Sequence, residues 1–145
     1  MTGRSRWILN AIIVLAFIGI VVSSVSLYHH YDKTGSSFCD FGGKFNCDIV
    51  NRSVYSAVYD VPVALIGILG YAAVAGLARF CSKKAQGKTF LLLAALGGLA
   101  FALRLTYIEG FVLAAWCVLC LSSLALIFFI TVLSAIFVVS PKQTV

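Results

Sequence analysis

Cys117 and Cys120 stand three residues apart inside a long apolar run, Phe111 to Val139. On a helix that spacing sets both sulfurs on one face, with Cβ atoms about 5–6 Å apart, close enough for a disulfide after local adjustment. A second pair, Cys39 and Cys47, brackets Gly42 and Gly43 in the one long polar segment. The glycines permit the reversal that would bring this pair's ends together. Disulfides move by thiolate attack through a mixed disulfide. Two pairs that can meet, one facing water and one facing lipid, therefore have the makings of an electron relay between a soluble protein and an oxidant dissolved in the membrane. The fifth cysteine, Cys81, is left over.

Each pair also has a plainer reading. Two cysteines in an exported loop commonly form a structural disulfide, and cysteines in a span often serve as small packing residues. A four-thiolate metal site is disfavoured, because the seven residues between Cys39 and Cys47 exceed the two to four usual between paired zinc ligands. No metal is expected.

The elements that must position these thiols are membrane spans. With 61% hydrophobic and 11% charged residues, the 145-residue chain is far from a soluble domain, where about a quarter of residues are charged. Apolar runs are expected to span the bilayer at about residues 8–28, 61–80, 89–108 and 111–139, with a loop over 29–60. This is an all-α, integral membrane four-helix bundle in a single domain, 1–145, with one long extracytoplasmic loop between the first two spans. The first run exceeds the 7–15 residues usual for a signal peptide and reads as a retained anchor. Asp60 before Val61 and Pro62 reads as the cap of the second span, Asp48 to Tyr59 as a short amphipathic surface helix, and Glu109-Gly110 as a tight turn between the last two spans.

The net charge of +6 would point to nucleic acid in a soluble protein; here its distribution matters more, and no nucleic-acid partner is expected. Arg4, Arg6, Arg79, Lys83, Lys84, Lys88 and Lys142 fall on one side of the four spans, and all five acidic residues on the other. The positive-inside rule places both termini in the cytoplasm. Cys39 and Cys47 then lie outside, where disulfides persist, Cys117 and Cys120 lie about 12–17 Å along the last span from Glu109, and Cys81 is on the reducing side. Arg104 reads as a residue snorkelling to the headgroups, His29 and His30 as solvated, and Tyr107 and Trp116 as interface anchors or walls for a planar ring.

In combination, the Cys-x7-Cys loop, the segment Cys47 to Ser53 (CDIVNRS), the segment Val61 to Gly67 (VPVALIG) opening a span, and Cys-x-x-Cys in the last span resemble the vitamin K epoxide reductase family, most closely its bacterial branch. The resemblance covers Cys39 to Cys120. It implies a four-helix bundle around a quinone (ubiquinone or menaquinone, vitamin K-like), with Cys120 beside the ring, Cys117 as its partner, Cys47 exchanging with Cys117, Cys39 facing the redox partner, and Ser53 near the quinone. Vertebrate members carry a tyrosine where this chain has Leu124. Nothing thioredoxin-like follows the last span, so the thioredoxin-fold disulfide donor is expected to be a separate extracytoplasmic chain. The implied activity is disulfide formation coupled to quinone reduction in a bacterial inner membrane. The alternatives are a non-catalytic four-span protein with a structural loop disulfide and a DsbB-like quinone reductase, which carries its Cys-x-x-Cys in an exported loop.

Overall fold

The computed structural model describes residues 3–31, 40–42, 45–46, 54, 57–81 and 86–140. Helix α1 (Gly3–Tyr31) is followed by two short hairpins, β1 (Asp40–Gly42) with β2 (Phe45–Asn46) and β3 (Ala57–Val58) with β4 (Val61–Pro62). Helix α2 (Val63–Cys81), helix α3 (Gly87–Ile108), a π-helical turn (Glu109–Leu113) and helix α4 (Val118–Val139) complete the described chain. Among the described residues, four helices are long and apolar enough to cross a membrane, so the expected all-α membrane bundle is present.

Each helix packs on two neighbours: α1 on α2 and α4, and α3 on α2 and α4. The result is a ring in chain order. On α1 the buried residues Ile8, Ile12, Ala16, Gly19, Ser23, Ser26 and His29 recur every three or four positions, which is the inward stripe of a helix with about 3.6 residues per turn. The opposite faces carry exposed Phe17, Val21, Leu69, Phe90, Leu93, Phe128 and Phe129. A belt of large apolar side chains on all four helices is stable facing hydrocarbon, not water.

The two ends of the bundle are built differently. Ile8, Leu9 and Ile12 of α1, Val74 and Ala78 of α2, Leu91 and Ala95 of α3, and Ile130 and Phe137 of α4 form a packed core at the end where α1 starts. Lys88 closes that end, its Nζ 4.6 Å from the centre of the Phe137 ring, within the range for cation–π attraction. Thr131 adds a hydroxyl bond from α4 to the Ala95 carbonyl of α3 at 3.3 Å. Toward the loop end the helices part and enclose a cavity.

Tyr71 sits where the packed end meets the hollow end. Its hydroxyl donates to the Ser123 carbonyl at 2.9 Å and lies 2.8 Å from the Ser123 hydroxyl. Its ring lies flat against Gly19, where a Cβ would come within 2.5 Å of ring carbons. One side chain thus ties α2 to α1 and α4. Gly19→Ala should displace the ring, break both contacts with Ser123 and cost about 1–3 kcal/mol. Thermal denaturation in mild detergent reads this out, and an unchanged midpoint would contradict it.

Several local expectations are corrected. Asp60 does not cap α2: Tyr59 and Asp60, with φ of 50° and 65°, form the two-residue turn joining Val58 to Val61. Two positive φ angles in succession match the twist of a tight hairpin, and the helix starts only at Val63. Ala57 and Val58, expected in a surface helix, pair as a strand instead. Helix α1 runs through His29 and His30 to Tyr31, and His29 is buried, so the pair does not lie in a solvated loop.

Candidate active site

The link between the last two helices differs from the expected tight turn. Glu109-Gly110 is not a turn, because the chain stays helical to Leu113 and only then reverses through Ala114, whose φ is 48°. The Ala114 and Ala115 N–H groups close back on the Glu109 carbonyl, the latter at 3.1 Å. Trp116 folds over Gly110, where a Cβ would sit 3.0 Å from the indole Cη2. Glycine at 110 therefore lets the extended stretch before α4 lie against the end of α3. The π turn carries one extra residue per hydrogen-bonded ring and swings the Glu109 side chain inward, to 2% exposure.

Helix α4 starts at Val118, not Phe111, with Cys117 as its extended N-cap residue (φ −105°, ψ 118°). Cys117 and Cys120 are thus the cap and third helical position, not two residues of a continuous helix. They still face each other, since a cap side chain folds over the first turn toward that position. The Cys117 carbonyl accepts the Leu121 N–H at 3.0 Å, and its sulfur interacts with the Cys120 thiol and with the backbone N–H groups of Leu119 and Cys120.

The two thiols see different surroundings. Cys117 is fully buried, at 0% exposure. Cys120 is half-buried and lines the cavity, a space of about 370 Å³ walled by all four helices. Its walls are mainly apolar or small, with Gly67, Gly70, Gly97 and Gly98 among them, and its polar members include His30, Tyr71, Glu109, Cys120 and Ser123. Glu109 joins the thiols to this space: its Oε2 accepts the Cys117 N–H at 3.3 Å, and the carboxylate interacts with both sulfurs.

A quinone is a flat apolar ring with two acceptor oxygens on opposite edges, and the cavity fits it. Its volume lies in the range of small-molecule sites, about 300–1,000 Å³. At Gly70 and Gly97 an added Cβ would meet nothing within 4 Å, so these positions leave flat, open wall. The hydroxyls of Tyr71 and Ser123 supply polar contacts beside Cys120.

Of the residues singled out in the sequence, Cys117 and Cys120 are brought together, whereas Cys39, Cys47 and Ser53 lie outside the described residues. The chain neighbours of the loop thiols, Asp40 and Asn46, are antiparallel partners. Arg104 is exposed and is not part of the cavity wall. Neither are Tyr107, which stacks on Phe111 with centroids 4.8 Å apart, and Trp116. Sequence reasoning missed Glu109, His30, Tyr71 and Ser123. For Glu109 a signal existed: an acidic residue next to an apolar span is expensive there and usually functional.

No curated protein matches the chain significantly. The family model described as the Vitamin K epoxide reductase family matches residues 10–135, from within α1 to near the end of α4. That match takes in all four helices, the loop, both cysteine pairs and the cavity, and the chain belongs to the vitamin K epoxide reductase family, as an integral membrane protein of oxidoreductase type.

Proposed function

We propose that the protein is a thiol:quinone oxidoreductase that makes disulfides, passing electrons from a thioredoxin-fold partner through Cys39 and Cys47 to Cys117 and Cys120, and from there to ubiquinone or menaquinone. The observation that carries this reading is the placement of one thiol of the Cys117/Cys120 pair, Cys120, on the wall of a quinone-sized cavity. The other thiol is buried away from water.

That burial has a consequence for the route. A soluble protein cannot approach a fully buried sulfur in line with its disulfide, so electrons from outside must reach Cys117 through a thiol of this chain. Cys47 is the proposed donor. The pairing of Asp40 with Asn46 supports a loop in which Cys39 and Cys47 can form their own disulfide. The partner's dithiol reduces that bond, Cys47 then attacks Cys117 of the Cys117–Cys120 disulfide with Cys120 leaving as the thiol facing the cavity, and Cys39 attacks Cys47, re-forming the loop disulfide and freeing Cys117 as a thiol. A bound quinone supplies a two-electron, two-proton acceptor. Cys120 gives up the electron pair at the cavity wall as the Cys117–Cys120 disulfide re-forms. The cation-rich end of the bundle, with Arg4, Arg6, Arg79 and Lys88, supports cytoplasmic termini and a periplasmic or extracellular loop in a bacterial cell membrane.

The reading is tested by trapping. A thioredoxin-fold donor stripped of its resolving cysteine should accumulate as a mixed disulfide with the protein, and Cys39→Ala should remove the adduct. The same variant should still reduce quinone when driven by dithiothreitol, which can reach the remaining thiols without the partner. An adduct that persists in Cys39→Ala, or loss of the dithiothreitol-driven reaction, would contradict the order of the relay.

A further inference from the structure

Among the described residues, Glu109 is the one acidic side chain on the cavity wall, in a helical stretch that reads as membrane-spanning. A carboxyl group in such a place is costly unless its bonding capacity is used. Only half of it is: Oε2 holds the Cys117 N–H, whereas Oε1 is buried with no hydrogen-bond partner. The same side chain touches the cavity on one side and interacts with both sulfurs on the other. A purely positional role would need one oxygen, and the second is buried without a hydrogen-bond partner.

The reaction proposed above creates a need that this oxygen meets. Oxidising a dithiol to a disulfide releases two protons, and Cys117 has no exposure to water. Among the described residues, the other titratable groups around the cavity are His30 of α1, Tyr71 of α2 and Cys120 itself. Tyr71 is held by Ser123, and His30 belongs to the last turn of α1. Arg104 of α3 is exposed, away from this space. Of the described side chains that line the cavity, Glu109 is the one outside the pair that interacts with both thiols.

Resting on the thiol:quinone reading, we infer that Glu109 is a catalytic residue, the proton carrier between the dithiol and the quinone. Its carboxylate takes the proton of a thiol, breaking S–H and forming O–H, as the sulfur electrons enter the new disulfide. Glu109 then gives that proton to a quinone oxygen and returns to the carboxylate. Two such transfers, one per thiol, move two protons along with two electrons. The balance is dithiol plus quinone to disulfide plus quinol.

Glu109→Gln separates proton transfer from positioning, because the amide oxygen still accepts the Cys117 N–H but the amide neither takes up nor releases a proton near neutral pH. Quinone reduction should fall by about 100-fold or more and lose its wild-type pH profile. Glu109→Asp, which keeps a carboxyl, should recover part of the rate. A second readout uses protein free of quinone. The infrared difference spectrum between its dithiol and disulfide forms should contain a carboxyl band that is absent in Glu109→Gln and present in Glu109→Asp. A wild-type rate in Glu109→Gln, or an infrared difference spectrum unchanged by it, would overturn the inference while leaving the relay intact. Failure of the wild-type protein itself to reduce quinone would instead remove the reading beneath it.

Discussion

Cys120→Ser should abolish quinone reduction, leaving only the uncatalysed background, with both the thioredoxin-fold partner and dithiothreitol as reductant. Serine matches cysteine in shape but cannot form a disulfide, so no electron pair can leave the site at the cavity wall. The fold should survive, since Cys120 is only half-buried and α4 is held by Thr131, Tyr71 and the core around Ile130. Cys117 should still exchange with the Cys39–Cys47 disulfide to give a bond to Cys47, which Cys39 alone can then resolve because Cys120 is gone, so a minor Cys47–Cys117 fraction should be found. Partner oxidation at the normal rate in this variant would refute the assignment of Cys120. Measuring quinone absorbance in detergent, beside non-reducing peptide mapping, separates a dead relay from a misfolded one.

Gly97→Leu should impair quinone use by roughly 10- to 100-fold without unfolding the bundle. The glycine is on the cavity wall, and a Cβ placed there meets nothing within 4 Å. A leucine would extend into the cavity and compete with the ring for space. The penalty for crowding a fitted site is about 1–3 kcal/mol, which corresponds to that range of affinity. Helix propensity favours the substitution, so stability should hold. Gly76→Leu is the matched control: this glycine also has open space around it but is not on the cavity wall, and activity should be unchanged. Exchange between the two cysteine pairs should proceed normally in Gly97→Leu, since it needs no quinone. Equal activity of both leucine variants, by quinone titration, would argue against the cavity as the binding site.

The bundle was legible in the sequence because lipid leaves little choice. Four apolar runs of span length must be helices, since hydrocarbon offers no partners for an open backbone. The pairing of Asp40 with Asn46 and of Gly42 with Phe45 likewise agrees with a chain reversal within this segment, while Gly43 lies outside the described residues. What hydropathy could not read was the path from Glu109 to Cys117. A lone polar residue beside a glycine looks like a turn, yet here the glycine serves the packing of Trp116. The real reversal is at Ala114, a residue with no preference for positive φ. The spacing of Cys117 and Cys120 was informative in spite of this, because a cap and its third helical position face each other much as two helical neighbours do. Asp60 was misread because aspartate serves equally at a helix cap and in a tight hairpin. Tyr71, Ser123 and His30 could not be chosen from the sequence, as their place on the cavity depends on how four helices turn about one another.

Direct electron exchange between the loop pair and the span pair can be measured with no partner or quinone present. In a protein carrying both Cys39→Ala and Cys120→Ala, each pair loses the thiol that would resolve a mixed disulfide. Mild oxidation followed by mass spectrometry of non-reduced peptides should recover Cys47 linked to Cys117 within a single chain, in high yield. Recovery of both as free thiols, or of Cys47 only in bonds between chains, would show that the two pairs do not meet.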